Sequence, residues 1–401
     1  MVKKEYWFYI IFFLIFAAIS YQKFALVKSI NYNQDEIDYV GNSLLLSEYK
    51  LNLSPQKWSL PWAYDQPHLY HYLVGLFISQ PTLESLGFNQ RYPGHQQYMV
   101  SWNTKYFGNY FGTTDQRYQL ITKARYLSFS IYIICFILIS AISHISYRKT
   151  GLFFSILLFY FNKHIDSTLI TAVSDGLLIL FILLSLLGWL VHFNLKRSSI
   201  PKQIFFQSIV AGLAISTKLN GAILLIILNI IVLYNYKNNL RYLIHANAIP
   251  FLIFAILNPY IWLNPISNTL KMFDYRVATN INSSLYFQSN SPPNNYLYDK
   301  IFYNAERLFN IDYPSILSTL FTFAVIIISI IIIKQKNSRH AVNNNLLLIS
   351  VIWIAIPLIY ISVYWERYFV PPQLGLYFTT LGLLSRYNQL KHETTKSSHI
   401  L

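Results

Sequence analysis

The chain has 401 residues, of which 54% are hydrophobic and only 12% charged, and its formal net charge is +15. A soluble domain carries about 25% charged residues, so composition and a mean hydropathy of +0.36 exclude a soluble globular fold. The basic residues sit in short loops between apolar runs rather than in one patch, which argues against a nucleic-acid-binding protein.

Apolar runs such as Phe8 to Ile19, Leu177 to Val191, Ala222 to Leu233, Ile316 to Ile333 and Leu346 to Val363 are too long for a soluble core. Each comes close to the ~20 residues that cross ~30 Å of hydrocarbon. The pattern predicts an all-α polytopic membrane protein with about ten transmembrane helices. Their ranges are about 6–25, 124–146, 151–163, 175–195, 203–217, 219–236, 242–260, 314–333, 344–364 and 367–387. The first lacks a small-x-small cleavage site and reads as a retained helix, not a signal peptide. The single cysteine, Cys135, lies inside an apolar run, so no intrachain disulfide forms.

Two segments are too long to be mere connectors. The first, 26–123, carries two amphipathic stretches, Glu36 to Tyr49 and Pro67 to Ile78, then a polar aromatic region from Asn89 to Arg117. Ile37, Val40, Leu44 and Leu45 share one helical face. Pro67 to Ile78 is too short to span and reads as an interfacial helix. The second, 258–312, contains Asn258-Pro259, Asn264-Pro265 and Pro292-Pro293, which is turn and loop chemistry. The domain reading is one transmembrane domain over 1–390 and a cytoplasmic tail over 391–401.

Arg148-Lys149, Lys196-Arg197, Lys202, Lys237, Arg241, Lys334, Lys336 and Arg339 fall between alternate spans. Together with Lys3-Lys4, Arg386, Lys391 and Lys396 they place both termini in the cytoplasm. On this topology every acidic residue except Glu5 and Glu393 lies at or beyond the opposite face. The outer face is therefore the expected working side of a multi-pass plasma-membrane protein.

Five groups converge there. They are Asp35-Glu36 with Asp38; Asp65-Gln-Pro-His-Leu-Tyr-His71; Lys123-Ala-Arg125; His164-Ile-Asp166 through Ser174-Asp175; and Trp365-Glu-Arg-Tyr-Phe-Val-Pro-Pro372. An acidic pair at a membrane edge is costly to hold and so is a candidate for chemistry. It also suits the first turn of the helix that follows, as does Asp175 at the head of the fourth span. Asp166 reads as a solvated loop residue, and His68 and His71 as satisfied interface histidines. Trp58, Trp62 and Trp102 are candidate ligand contacts in the first outer segment. Asp35, Glu36, His68, His71, Asp166 and Asp175 offer metal-binding groups, but no metal-ligand spacing is present. No metal or other cofactor is assigned, and a divalent metal stays open.

The order of these elements resembles a known family. An Asp-Glu pair opens the first outer loop, and an x-Pro-x-Leu-x-x-Tyr-Leu helix follows. An Arg stands at the mouth of the second span, and an Asp heads a later one. Gly212-Leu-Ala-Ile-Ser-Thr-Lys218 and a late Glu-Arg-Tyr-x-x-Pro complete the set. Over about residues 6–387 the chain resembles the polyprenyl-phosphate-sugar-dependent membrane glycosyltransferases of the GT-C fold. That group includes protein O-mannosyltransferases and lipid A aminoarabinose transferases.

The resemblance implies an inverting transfer of a sugar from a polyprenyl phosphate to an acceptor hydroxyl on a glycan, lipid or protein. Asp35 matches the catalytic acidic position, and Glu36 would orient Asp35 or the acceptor. Arg125, Arg367 and Lys218 are the implied donor-phosphate ligands, with the arginines ranked first for their bidentate fork. Asp175, Asp65 and His68 are supporting or acceptor-side residues. The pattern departs at Gln66-Pro67-His68, where relatives often carry a Lys or His before the proline. No phosphate contact is carried over to that position. Two other classes fit a polytopic chain: a transporter or flippase of a lipid-linked or anionic solute, and a non-catalytic scaffold in envelope polysaccharide assembly. No ionisable residue near a span midpoint and no inverted repeat favours the transporter.

Overall fold

The computed structural model describes residues 2–30, 34–46, 67–78, 116–195, 199–236, 239–262, 264–286, 297–308, 316–334, 341–361 and 366–397. Among these the protein is all-α, with no strand. Four of the described helices are long and apolar enough to cross a membrane, and two shorter apolar helices accompany them among the described residues. It is an all-α polytopic membrane protein.

The helices run in chain order as α1 (Val2–Ser29), α2 (Gln34–Gly41), α3 (Leu69–Phe77), α4 (Gln116–Phe161), α5 (Lys163–Ile170), α6 (Ser174–Leu195) and α7 (Ile200–Thr217). They continue as α8 (Ala222–Tyr236), α9 (Leu240–Leu257), α10 (Pro265–Tyr286), α11 (Leu297–Arg307), α12 (Ile316–Lys334), α13 (Ala341–Tyr360) and α14 (Glu366–Ser397). Single 3-10 turns lie at Asn42–Leu44, Leu219–Gly221 and Pro259–Ile261.

α4 covers two of the spans read from sequence. It reverses at Arg148, whose φ of 52° and ψ of −135° approximate the second residue of a type II′ turn. The Ser140 and Ser155 hydroxyls hydrogen-bond across the resulting hairpin at 3.0 Å. Segment 258–312 departs from the expected loop character: it carries α10 and α11. The prolines explain this, because Pro259 opens a 3-10 turn and Pro265 opens α10. A proline in the first turn gives up an N–H that has no intrahelical partner anyway. At the C-terminus, α14 continues past the expected span to Ser397.

The chain divides into two compact units. The first comprises Met1–Ile137, Phe159–Ser185 and Ile204–Ala278; the second comprises Leu138–Leu158, Leu186–Gln203 and Thr279–Leu401. The first unit has a core of Leu45, Tyr72, Ile215, Leu219, Phe254, Tyr260, Ile261 and Met272, which joins α3 to the α7–α8 turn and to the start of α10. In the second, the Asn304 amide donates to the carbonyls of Leu358 and Ile361, and the Gln373 amide donates to that of Leu308. These bonds tie the C-terminal end of α11 to α13 and α14.

The α7–α8 turn is unusually tight. A Cβ built on Gly221 would stand 2.3 Å from the Ala214 carbonyl carbon, a backbone atom that cannot swing aside. Gly221→Ala is therefore expected to lower stability by about 1–3 kcal/mol, read as a fall in melting temperature in detergent. An unchanged melting temperature would show that the turn opens without cost.

Candidate active site

The acidic pair lies in the first turn of α2. The backbone turns the two carboxylates to different surroundings. Asp35 is half-buried, whereas Glu36 is 0% exposed. Glu36 accepts from Arg125 Nε at 2.7 Å and from its NH2 at 2.6 Å, a bidentate pair. The Glu36 Oε1 atom also accepts the Ala172 N–H at 2.7 Å. Charge-assisted, two-point geometry of this kind is among the strongest available to a side chain.

Arg125 is likewise 0% exposed. Its NH1 donates to the carbonyls of Val27 and Ile30 at 3.1 and 2.8 Å, at the end of α1. Helix ends leave carbonyls without intrahelical donors, and a cation there suits the helix dipole. Arg125 thus fastens α1, α2 and the α5–α6 connection around one carboxylate. The sequence reading gives Arg125 a donor phosphate; the structure instead directs this guanidinium to Glu36. The planar fork that matches phosphate matches a carboxylate equally well.

Around this pair stands a shell of buried polar groups. Tyr39 lies one turn after Asp35 and shares a 2.6 Å hydrogen bond with the Ser174 hydroxyl. Its ring stacks on His71 at 5.1 Å and meets Tyr70 edge-on at 5.2 Å. Tyr70 hydrogen-bonds the Ser128 hydroxyl at 2.8 Å. Burial pushes the Tyr70 phenol well above its usual range; the Ser128 bond opposes this, and the negative charges of Glu36 and Asp175 add to it. His68 and His71 are both buried, with ring centroids 5.6 Å apart. Burial, then the neighbouring His68, holds His71 well below the ordinary histidine pKa, so it is neutral near pH 7.

Asp175, in the first turn of α6, receives a hydrogen bond from Lys218 Nζ at 2.6 Å, and both side chains are buried. Lys218 occupies an extended residue between α7 and the 3-10 turn. The Gly221 constraint therefore fixes where its ammonium emerges.

Asp166 departs from the solvated position expected. It is buried and pairs with Lys23 of α1, while its Oδ1 has no hydrogen-bond partner. Asn162 caps α5 by accepting the N–H groups of His164 and Ile165 and so sets where Asp166 faces. Burial raises the Asp166 pKa from 3.8 to about 6, against the lowering effect of Lys23. A carboxyl whose folded pKa is raised stabilises the fold when protonated. That contribution is full below the unfolded pKa and is lost as pH rises through the folded one. Asp166→Asn should accordingly flatten a decline in stability between about pH 4 and pH 6, measured by melting temperature against pH. Parallel wild-type and variant curves would rule this out.

The fold thus gathers Asp35, Glu36, Arg125, Asp175 and Lys218 into the first unit, with His68 beside them. Tyr39, Tyr70 and Ser174 complete the cluster; Tyr70 and Ser174 lie inside two of the sequence groups but were given no role there, and Tyr39 was not singled out. The one available signal for Tyr39 is its i+4 spacing from Asp35. Lys23, the partner of Asp166, gave no signal beyond being a cation near the end of an apolar helix. Arg367 belongs to the second unit, where it is half-buried in the first turn of α14 with its guanidinium 5.5 Å from the Tyr368 ring centroid. Asp65 lies outside the described residues, as do Trp58, Trp62 and Trp102. Among the described residues no group of three or more His, Cys, Asp or Glu is placed to hold a metal ion.

No family model and no curated protein matches this chain. Among solved structures it is similar to the crystal structure of ArnT from Cupriavidus metallidurans bound to undecaprenyl phosphate. The TM-score is 0.47 at 13% identity, covering 92% of this chain and 59% of that one. The chain therefore spans less than two thirds of that protein's length.

Proposed function

We propose that this protein is an inverting GT-C-type glycosyltransferase that moves a sugar from a polyprenyl-phosphate carrier to an acceptor hydroxyl on the outer face of the cytoplasmic membrane. The observation that carries the reading is the split within the acidic pair. Glu36 is sealed and held by three donors, while Asp35, one residue away on the same helix turn, is half-buried. One carboxylate positions the helix, and the other keeps partial exposure on the same turn. The order of motifs along the sequence supplies the donor class.

In this reading Asp35 takes the proton from the acceptor hydroxyl as its oxygen attacks the anomeric carbon. The bond from that carbon to the carrier phosphate breaks, and the electron pair leaves with the phosphate. Direct displacement inverts the anomeric centre. Cations are needed where the phosphate charge develops. Lys218, held by Asp175, takes that role. Arg125 acts through Glu36 as a positioning residue. His68 and Asp65 belong to the acceptor side.

The test is turnover of a panel of polyprenyl-phosphate sugars by the purified protein, with the product anomer assigned by NMR. Transfer or donor hydrolysis with inversion is expected. Retention of configuration would overturn the single-displacement mechanism. Solute uptake into vesicles without covalent transfer would identify a transporter. Inertness towards every donor would leave the scaffold reading.

A further inference from the structure

Helix α10 presents three different faces. Its inner face is Met272, fully buried against Tyr260 and Ile261, with Asn268 one turn earlier exchanging hydrogen bonds with Tyr260. A second face carries Ile266, Leu270 and Phe273, which are 77, 57 and 41% exposed. Their i, i+4, i+7 spacing makes one continuous apolar stripe. A third carries Ser267, Lys271 and Asp274 at the same spacing and is exposed.

A helix with one face packed on protein needs only one further environment if it stands in water. Two chemically distinct exposed faces need two. The neighbouring α9 shows what the apolar one is. It is one of the four helices long and apolar enough to cross a membrane, and it exposes Phe251, Leu252 and Ile256. Only a 3-10 turn and a few residues separate its last turn from α10. Trp262 lies in that connection, 38% exposed, with its indole N–H donated to the Ala255 carbonyl at 2.6 Å. Tryptophan with an anchored polar edge is characteristic of the membrane–water boundary. The exposed apolar stripe of α10 thus follows within a few residues of the exposed apolar side chains of α9.

We propose that α10 lies in the plane of the bilayer surface. Its Ile266–Leu270–Phe273 stripe enters the acyl layer, and its Ser267–Lys271–Asp274 face meets the lipid headgroups. An open hollow of about 610 Å³ lies along the helix, lined by Asn264, Ile266, Ser267, Leu270, Lys271 and Asp274 among others. It joins apolar and charged groups as a phospholipid headgroup with its first methylenes requires. Through Met272 the helix touches the core that includes Tyr72 and Leu219, the residue after Lys218. α10 is thereby a lipid-bound wall whose inner side supports the α7–α8 turn. The inference is independent of the chemistry assigned to Asp35.

The sole native cysteine, Cys135, is fully buried, so spin labels can be directed to introduced cysteines. Single cysteines at Ile266, Leu270 and Phe273, and at Ser267, Lys271 and Asp274, are labelled and reconstituted into phosphatidylethanolamine–phosphatidylglycerol vesicles. Collision rates with oxygen, which concentrates in lipid, and with a water-soluble nickel chelate are then compared. The oxygen-to-nickel ratio should be several-fold higher at the first three positions, corresponding to burial about 5–10 Å into the headgroup–acyl boundary. It should be low at the other three. Nickel-dominated collisions at all six would place α10 in water and overturn the proposal. Exclusion of both probes from the apolar stripe would show that protein covers it, and would overturn it equally.

Discussion

Arg125→Ala lowers the stability of the detergent-solubilised protein by about 3–5 kcal/mol, the range for breaking a buried ion pair from one side. The truncation strips Glu36 of both guanidinium donors while leaving its carboxylate fully buried. It also leaves the Val27 and Ile30 carbonyls without the donor that serves them. Glu36→Gln is milder, because an amide oxygen still accepts from Ala172 N–H or from the guanidinium. Arg125→Lys does not rescue, since an ammonium cannot span both carboxylate oxygens and two carbonyls with one planar fork. The decisive measurement is the double variant Glu36→Gln with Arg125→Met. With both charges gone the desolvation penalty goes too, and the double variant should melt above Arg125→Ala. If Arg125→Ala melts like wild type, this pair is not what fastens α1 to α2.

The same pair shows which features the sequence carried and which it could not. Span positions were legible because membrane thickness sets helix length, and apolar runs from Phe8 to Val363 report that length directly. The α3 helix was legible from its amphipathic pattern after Pro67. The reversal at Arg148 was marked by two cations between apolar runs. Charge type and sidedness nominated Asp35, Glu36, Arg125 and Asp175, and the resemblance added Lys218. Partners were not legible. Arg125 meets Glu36 across 89 positions, and Lys23 meets Asp166 across 143. Nothing local distinguishes a guanidinium that will hold a carboxylate from one that will hold a phosphate, because both anions offer a pair of oxygens that the fork can bridge. The Asn- and Pro-rich stretch after Asn258 concealed α10 for a different reason. Composition spoke for turns, while the i, i+4, i+7 pattern of Ile266, Leu270 and Phe273 spoke for a helix.

Asp35→Asn should cut turnover of a polyprenyl-phosphate sugar by about 10²–10⁴-fold, the contribution of a positioned general base. Stability should stay within about 1 kcal/mol of wild type, because a half-buried acid in a first helical turn contributes on the scale of its interaction with the helix dipole. The two carboxylates thus separate by readout. Glu36→Gln lowers stability and turnover together, through the loosened start of α2. Asp35→Asn lowers turnover alone, and does so in kcat rather than KM, since the base acts in the transition state and not in donor binding. The amide is isosteric, so acceptor placement survives while proton removal does not. Asp35→Glu keeps the charge but moves it by one methylene, and lies between the two because proton transfer needs hydrogen-bond reach. Full turnover in Asp35→Asn would remove this residue from the mechanism whatever the donor proves to be. A variant that loses turnover only together with its fold would return Asp35 to the helix-capping role that its position in the first turn of α2 also allows.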